Sequence, residues 1–385
     1  MCNFPSILNK KLKKRKQEAA LRSLPVSSNL VDFSSNDYLS FATNETLYAN
    51  TFQLLLNKGV SHNGATGSRL ISGNHDLYST LEQDLASFFK SDSALVFNSG
   101  YDANLGFFSA IPQRGDIVLF DALIHASIRD GILLSNAKSY KFNHNSIVDL
   151  EEKINQATQK DFNGEIYIVT ESIFSMDGDS PDIDTLIKFS KKNGFHLIID
   201  EAHAVGIFGA QGEGLVQQNK AYKDVFARIV TFGKAFGSHG AAVLGSEQLK
   251  EYLVNFSRSF IYTTALPPHT VATITAAVKF VADEEGEKAR KDLKEKIEFF
   301  KKKVKDLKLQ DLFIPSNSAI QCCLIPGNGK VKKVAEKLQE KGFNVKAILA
   351  PTVKEGQERL RFCIHSHNSK EEIGLVLQIL ASFIK

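Results

Sequence analysis

Short, almost continuously apolar segments alternate with helical patterns through the middle of this 385-residue chain. Five such segments occur in order, at 94–97, 117–120, 166–169, 196–199 and 229–230. Unbroken apolar runs are typical of strands that are buried on both faces of a parallel sheet. The patterns between them, such as 77–89, 125–136 and 183–193, have helical spacing. The alternation predicts an α/β domain that is built from strand–helix–strand units.

Glycine, asparagine and serine collect just after these segments, at 98–100, 172–178 and 206–214. In an open parallel sheet, ligands bind at the carboxyl ends of the strands. We therefore expect the functional site at that edge of the sheet.

The carboxy-terminal part has a different pattern. A long charged helical segment at 284–309 precedes a strand (319–325), a helix (331–341), a second strand (360–364) and a last helix (370–384). This order predicts a smaller α+β domain. We predict an N-terminal helix and arm at 1–48, a large α/β domain at 49–283 and a small domain at 284–385.

A basic run occupies residues 10–16, although the net charge of +4 is too small for this length to indicate a nucleic-acid partner. We interpret the run as the solvated face of an N-terminal helix that turns Leu8, Leu12, Ala19 and Ala20 inward. A patch for polyanions is the alternative interpretation.

The four cysteines, Cys2, Cys322, Cys323 and Cys363, have no metal-ligand spacing. Cys322 and Cys323 lie inside an apolar run, which predicts buried core thiols. No apolar stretch approaches the roughly 20 residues that span a bilayer, and the amino terminus has no signal-peptide pattern. The sequence predicts a cytoplasmic protein with no metal and no membrane partner.

A lysine and an aspartate follow two of the predicted strands. Lys234 lies in Thr231-Phe-Gly-Lys-Ala-Phe-Gly237, and Asp200 begins Asp200-Glu-Ala-His203. A lysine amine condenses with an aldehyde and later acts as a general base, and a carboxylate pairs with a pyridinium. Pyridoxal phosphate (PLP) enzymes require both groups, so their order and placement predict a PLP site. A surface lysine in a glycine turn and an aspartate that caps a loop are the alternatives.

Two other cofactor motifs are excluded. A phosphate-binding P-loop needs glycine at 228 and serine or threonine at 235, where this chain has Arg228 and Ala235. The glycine-rich loop at 206–212 lacks dinucleotide spacing, and no predicted strand leads into it. The sequence therefore does not indicate a nicotinamide cofactor.

Two histidines and one turn extend the predicted site. His203 lies three residues after Asp200, and His125 begins a predicted helix, where its ring can stack on a flat cofactor. Histidines that are satisfied by nearby backbone are the alternative. Gly100 and Tyr101 precede a helix at 102–110, and free N–H groups at a helix start bind phosphate. A simple tight turn is the other interpretation.

Arg361 lies on a predicted strand, two residues after Arg359 and on the same strand face. A buried arginine there requires a carboxylate, and an amino-acid substrate supplies one in a geometry that suits the guanidinium fork. The alternative is a surface strand with paired charges.

Taken together, these residues resemble the α-oxoamine synthases, a family of fold-type I PLP enzymes. The resemblance extends from Phe33-Ser-Ser-Asn-Asp-Tyr38 nearly to the end of the chain, at Arg359-Leu-Arg361. Its other matching segments are Gly67-Ser-Arg-Leu-Ile-Ser-Gly73, Ser99-Gly-Tyr101, 121–127, Ser175-Met-Asp-Gly178, 200–203 and 231–237. The resemblance implies a large domain with a mainly parallel seven-stranded sheet, flanked by helices, and a small α+β domain.

The resemblance also implies a role for each matching residue. Lys234, His125, Asp200 and His203 are the implied catalytic residues. The implied PLP-binding residues are Gly100, Tyr101, His125, Ser175, Asp200, His203, Thr231 and Lys234, with Thr263 and Thr264 from a neighbouring subunit. The implied substrate-binding residues are Asn36 and Arg361 for the amino-acid carboxylate, with Arg22 and Glu171 on the acyl side. A homodimer with shared active sites follows from the resemblance.

The implied reaction is the decarboxylative condensation of L-alanine with a pimeloyl thioester, carried by coenzyme A or by an acyl-carrier protein. Its products are 8-amino-7-oxononanoate, CO₂ and a free thiol, as in biotin biosynthesis. The alternatives are a glycine C-acetyltransferase or another family member, an ordinary aminotransferase and, outside the enzymes, a PLP-binding regulatory protein.

Overall fold

Twelve strands and fourteen α-helices lie within the residues that the computed structural model describes, 4–24, 29–158, 162–220 and 222–384. The strands are β1 (Val31–Asp32), β2 (Ser93–Phe97), β3 (Ile117–Asp121), β4 (Lys138–Phe142), β5 (Ile166–Glu171), β6 (His196–Asp200), β7 (Ala227–Thr231), β8 (Ala241–Gly245), β9 (Ile320–Leu324), β10 (Phe343–Asn344), β11 (Lys346–Ile348) and β12 (Arg359–Cys363). The helices are α1 (Ser6–Gln17), α2 (Glu45–Asn57), α3 (Asp76–Phe88), α4 (Gly100–Ala110), α5 (Ala126–Leu134), α6 (Ile147–Ala157), α7 (Ile183–Asn193), α8 (Leu215–Gln218), α9 (Glu247–Phe256), α10 (Arg258–Ile261), α11 (Pro268–Ala282), α12 (Glu284–Asp306), α13 (Asn328–Glu340) and α14 (Lys370–Ile384).

The chain forms two compact units. One consists of residues 36–175 and 180–291, and the other of residues 1–35, 176–179 and 292–385. We call them the large unit and the small unit. The domain bounds at 48/49 and 283/284 stay a prediction.

Seven strands form the sheet of the large unit, in the order β2-β8-β7-β6-β5-β3-β4. All pairs are parallel except those of β8, which runs antiparallel to both β2 and β7. The mainly parallel α/β fold that we expected is confirmed. Sequence analysis did not identify β4 or β8.

Apolar side chains fill both faces of this sheet. Successive residues alternate between the two layers: Ile198 packs into one, while Leu197 and Ile199 pack into the other. The first layer includes Phe107 of α4 and Ile128 of α5. Because both faces are covered, the strands carry apolar residues at consecutive positions, and the carboxyl edge is left for polar groups.

The small unit contains two further sheets. Strands β11, β12 and β9 form an antiparallel sheet, and β1 pairs with β10 in parallel. Phe33, Phe300 and Phe362 are fully buried in this unit, and the Phe362 ring contacts both of the others edge-on or tilted. The predicted α+β pattern of this region is therefore found.

Two expectations about the small unit have different outcomes. Helix α1 forms, but Leu8 and Leu12 are 42% and 50% exposed, so our expectation that they turn inward is wrong. Ala19 and Ala20 follow the end of α1, where Ala19 is half-buried and Ala20 is buried. Cys322, Cys323 and Cys363 are buried, as a core-thiol interpretation requires, and Cys2 lies outside the described residues. None of the described helices combines the length and the apolar character that crossing a membrane requires.

Candidate active site

The carboxyl ends of five parallel strands in the large unit carry the predicted site residues. These strands are β2, β3, β5, β6 and β7, and the residues that follow them include Gly100, His125, Ser175, Asp200 and Lys234. Parallel strands end at one edge of a sheet, so the fold gathers side chains that are far apart in sequence.

Lys234 lies in the turn after β7 and is half-buried. Its Nζ is 2.8 Å from His203 Nε2. The turn ends at Gly237, whose φ is +62°. A Cβ at this position would lie 2.3 Å from backbone atoms of Phe41 and Ala42, so only glycine lets the turn pack against that segment.

His203 links Lys234 to an aromatic residue that sequence analysis did not single out. Its Nδ1 is 2.7 Å from the Tyr38 hydroxyl, which donates to Asn36 Oδ1 at 3.1 Å. The two ring nitrogens of His203 therefore have separate partners, Tyr38 at Nδ1 and Lys234 at Nε2. The contacts orient both the lysine and the histidine.

Asp200 ends β6 and is 5% exposed. Its Oδ1 accepts from the Ala202 N–H at 2.9 Å, and its Oδ2 accepts from Asn104 Nδ2 at 2.9 Å. None of the described residues forms an ion pair with this carboxylate. A buried anion with only neutral donors around it can pair with a cation that binds in the site.

His125 is the N-cap of α5, and its side chain remains exposed. Its Nδ1 is 2.7 Å from Ser127 Oγ, and its backbone N–H donates to Glu171 Oε1 at 2.5 Å. Desolvation lowers the pKa of His125, and the charge of Lys234 adds to this effect, while Asp200 and Asp130 oppose it. A neutral imidazole with one open face suits stacking on a flat ring.

Glu171 is 3% exposed, and its carboxyl group contacts the backbone of His125. Desolvation raises its pKa well above the usual range, and the Asp200 charge raises it further. We predicted Glu171 on the acyl side of the site. The structure places its carboxyl against the backbone of His125, and a role toward the acyl chain stays a prediction.

The start of α4 lies beside Thr231. Ser99 caps the helix by accepting from the Asp102 N–H at 3.1 Å, and a Cβ on Gly100 would come within 3.6 Å of Thr231 Oγ1. The N–H groups of the first helical turn have no partner within the helix, so the start of α4, next to Thr231, suits a phosphate group. The Tyr101 side chain is 47% exposed, and its hydroxyl donates to Asp130 Oδ2 at 2.5 Å.

Thr263 and Thr264 lie near the same turn in their own chain. Asn98 Nδ2 donates to Thr263 Oγ1 at 2.9 Å and to the Thr264 carbonyl at 2.6 Å. Their predicted role in a neighbouring subunit stays a prediction. Ser175, which is 7% exposed, follows β5 in the large unit.

Two predicted substrate residues belong to the small unit. Arg361 of β12 is 6% exposed, and its Nη1 lies 2.8 Å from Cys363 Sγ. Arg359 is 3% exposed and pairs with Asp177, so β12 is not a surface strand. Arg22 is exposed, and its Nη2 donates to Thr352 Oγ1 at 3.2 Å. Pro25, three residues after Arg22, lies outside the described residues.

Residues 28–380 match the family model of aminotransferase class I and II. An 8-amino-7-oxononanoate synthase of Emericella nidulans is 37% identical over 98% of this chain and 95% of its own length. The enzyme of the same name from Marinobacter nauticus is 36% identical over 92% of this chain and 87% of its own.

Solved structures extend this similarity to the fold. An 8-amino-7-oxononanoate synthase of Francisella tularensis is 30% identical, with a TM-score of 0.77 over 92% of this chain and 98% of its own. A variant serine palmitoyltransferase of S. paucimobilis, solved with a bound PLP–myriocin aldimine, is 25% identical, with a TM-score of 0.87 over 98% of this chain and 96% of its own. The chain belongs to the α-oxoamine synthase family. Its cofactor is PLP, and it is a PLP-dependent acyltransferase.

The large unit of this α-oxoamine synthase fits PLP at three points. Lys234 supplies an amine in reach of His203, and Asp200 supplies a buried anion with no cationic partner among the described residues. The start of α4 supplies N–H donors for a phosphate beside Thr231, whose hydroxyl donates to the Gly240 carbonyl at 3.1 Å. These groups match the aldehyde, the ring nitrogen and the phosphate of the cofactor.

Proposed function

We propose that the protein condenses L-alanine with a pimeloyl thioester and releases 8-amino-7-oxononanoate, CO₂ and a free thiol, a step of biotin biosynthesis. The carrying observation is the near full-length similarity to 8-amino-7-oxononanoate synthases from three organisms. The grouping of Lys234, His203, Asp200 and His125 at one sheet edge supports the same proposal.

Bound PLP supplies an electron acceptor for the bonds at the substrate Cα. Lys234 is the proposed base that takes the Cα proton and later returns it. His203 Nε2, 2.8 Å away, holds the amine in the site, and the Tyr38 hydroxyl contacts the other ring nitrogen of the histidine. Ala202 and Asn104 each donate to one oxygen of the buried Asp200 carboxylate and orient it.

Arg361 is proposed to bind the substrate carboxylate. It is buried on β12, where a planar guanidinium can donate two parallel hydrogen bonds. Asn36, in the large unit, is the second proposed contact of this carboxylate. Arg22, which is exposed, is proposed to attract the free carboxylate of a pimeloyl group.

We propose that two copies of the chain form the functional unit. Tyr48, Phe52 and Leu56 follow one another at intervals of four along α2 and are 69%, 56% and 59% exposed. Tyr262, beside Thr263 and Thr264, is 73% exposed. An apolar stripe on one helix face is unfavourable in water, and a second copy that covers it would bring its own Thr263 and Thr264 to the shared site. The proposed location of this dimer is the cytoplasm.

The test is thiol release by the purified, PLP-loaded protein. L-Alanine with pimeloyl-CoA is compared with glycine and acetyl-CoA, and with L-alanine and a pimeloyl acyl-carrier protein. We expect release with L-alanine and a pimeloyl donor. Release only with glycine and acetyl-CoA would replace the proposal with a glycine C-acetyltransferase. Conversion of the cofactor to its amine form by amino acid alone would indicate an aminotransferase.

A further inference from the structure

Asn104, on α4, connects two parts of the candidate site through a single carboxamide. The side chain is 2% exposed. Its Nδ2 donates to Asp200 Oδ2 at 2.9 Å and to Ser127 Oγ at 3.1 Å. Both hydrogens of the amide are therefore used, one on the carboxylate and one on the serine.

The orientation of this amide is fixed by its partners. The carboxylate oxygens of Asp200 accept hydrogen bonds, so the group that faces Oδ2 at 2.9 Å is the donating amide nitrogen. The reverse orientation would place the amide oxygen against the carboxylate oxygen. Asn104 Oδ1 has no hydrogen-bond partner among the described residues. A buried, unpaired acceptor is unfavourable, and the two donated bonds explain why an asparagine occupies this helix position.

Ser127 connects Asn104 to His125 through hydrogen-bond contacts. Ser127 Oγ accepts from Asn104 and lies 2.7 Å from His125 Nδ1, to which its hydroxyl can donate. The Ser127 backbone N–H also points at this nitrogen, at 3.2 Å. A ring nitrogen that receives two donors carries no hydrogen of its own. His125 is therefore the neutral tautomer, with its hydrogen on Nε2.

The charged groups around His125 come from several elements. Lys234, after β7, disfavours a cationic ring, whereas Asp200 of β6 and Asp130 of α5 favour one. Glu171 of β5 contacts the His125 backbone, and burial raises its pKa well above the usual range. Two of these charges favour an imidazolium, whereas the contacts of Ser127 with Nδ1 favour the neutral ring.

We propose that Asn104 is a positioning residue that acts on both sides of the cofactor site at once. Toward Asp200 it orients the carboxylate that pairs with the cofactor ring nitrogen. Toward Ser127 it fixes the hydrogen of His125 on Nε2, where it is available as a donor on the side away from Ser127. The kinetic part of this inference rests on the proposed function, whereas the tautomer of His125 is measured without substrate.

The experiment uses PLP-loaded enzyme with ¹⁵N-labelled histidine, and a His125→Gln variant assigns the His125 resonances. Wild type is compared with Asn104→Leu, which has no donors, and with Asn104→Asp, which keeps the shape and loses the amide donors. Ser127→Ala cuts only the branch to His125. The readouts are the ring ¹⁵N shifts between pH 6 and 8, the pH dependence of the bound cofactor's visible absorbance, and kcat and KM.

In wild type we expect neutral His125 with hydrogen on Nε2. Asn104→Leu and Asn104→Asp should mix the tautomers, shift the absorbance titration and lower kcat by roughly 10- to 100-fold, with KM changed less. Ser127→Ala should mix the tautomers and leave the absorbance titration in place. Wild-type His125 with hydrogen on Nδ1 would overturn the proposal, even if Asn104→Leu does not fold. A lower Tm with unchanged tautomer and absorbance would assign Asn104 a structural role only.

Discussion

Glu171 lies directly opposite Asp200 in the register of the neighbouring strands β5 and β6. Both side chains are at least 95% buried, and they differ in their partners. Asp200 has a donor at each oxygen, whereas Glu171 has the His125 N–H at one of them. A charge on one of two adjacent buried carboxyl groups disfavours a charge on the other. Burial and the charge of Asp200 therefore raise the pKa of Glu171 well above its usual range.

The raised pKa of Glu171 predicts that the free energy of unfolding falls as pH rises. Burial raises its folded-state pKa well above the usual 4.5. The folded protein then holds a proton that the unfolded chain has released, so the free energy of unfolding falls as pH rises from about 4.5 through the raised pKa. The slope of this contribution approaches about 1.4 kcal/mol per pH unit when a full proton is involved.

Glu171→Gln tests this prediction, because its amide has the same shape, stays neutral and still offers an oxygen to the His125 N–H. Urea unfolding of both PLP-loaded proteins at pH 5, 6, 7 and 8 gives the comparison. We expect the wild-type midpoint to fall relative to that of the variant as pH rises. Parallel curves would mean that Glu171 is ionised in the folded protein.

Glu201, next to Asp200, pairs with a buried arginine. We expect that replacing this arginine greatly lowers the free energy of unfolding. Glu201 is fully buried, and its Oε2 accepts from Arg228 Nε at 2.7 Å. Arg228 also donates to the carbonyls of Phe89 and Glu213. Arg228→Met leaves a buried carboxylate without its cation, and we expect a loss of about 3–5 kcal/mol in the free energy of unfolding.

The double variant Arg228→Met with Glu201→Leu is the control for that prediction. The double variant removes both charges. Its loss in the free energy of unfolding should therefore be clearly smaller than the sum of the losses of Arg228→Met and Glu201→Leu. Urea unfolding of the four proteins completes the cycle. Additive losses would show that the two charges do not stabilise one another.

The strands that the sequence predicted are those with two buried faces. Residues of β5 and β6 are apolar in succession, so the pattern is visible without the structure. Strand β4 lies at the edge of the sheet, and three of its five residues are exposed, so lysines and a serine interrupt its apolar residues and it was missed. Strand β8, Ala-Ala-Val-Leu-Gly, pairs antiparallel between β2 and β7, an order that local spacing does not indicate.

The sequence predicted the charged groups of the site but not the neutral residues that orient them. Lys234 and Asp200 follow strands in short motifs that have a known chemistry. Asn104 lies within a helix, 96 positions before Asp200, and Tyr38 lies 165 positions before His203. The local sequence around such a polar residue does not indicate which residue its side chain contacts. These contacts are visible only when the fold brings the elements together.

Lys234→Ala should bind PLP without a covalent bond. We expect the variant to retain the cofactor more weakly, to lose the visible absorbance of the lysine-bound form and to lose at least about 10³-fold in kcat. Absorbance spectra before and after gel filtration, together with thiol release, measure these effects. Lys188→Ala, an exposed lysine on α7, is the matched control and should behave as wild type. Full activity of Lys234→Ala would remove this residue from the mechanism.

Asp200→Asn should keep the shape of the site and remove its buried anion. The cofactor ring nitrogen then lacks an anionic partner, so we expect the rate of Cα proton exchange to fall by a factor on the order of 10² or more. Exchange of deuterium into L-alanine, followed by NMR, measures this step without an acyl donor. The control is Asp184→Asn, which changes an exposed aspartate on α7. An unchanged exchange rate in Asp200→Asn would refute the assigned role.

Arg361 and Arg359 share one face of β12 and provide a matched pair of variants. Arg359 holds Asp177 and donates to the Met176 carbonyl at 3.2 Å, all within the small unit. Arg361 is the proposed partner of the substrate carboxylate. Lysine keeps the charge at either position but cannot form the planar double contact.

We expect Arg361→Lys to raise the KM for L-alanine by roughly 10- to 100-fold, because one charged hydrogen bond is worth about 1.5–3 kcal/mol. Its Tm should change little. Arg359→Lys should lower Tm and leave the KM for L-alanine within a factor of about 3, since its contacts are internal. Steady-state kinetics give the KM for L-alanine of both variants, and thermal unfolding gives their Tm. If Arg361→Lys lowers Tm with an unchanged KM, Arg361 stabilises the small unit and another residue binds the carboxylate.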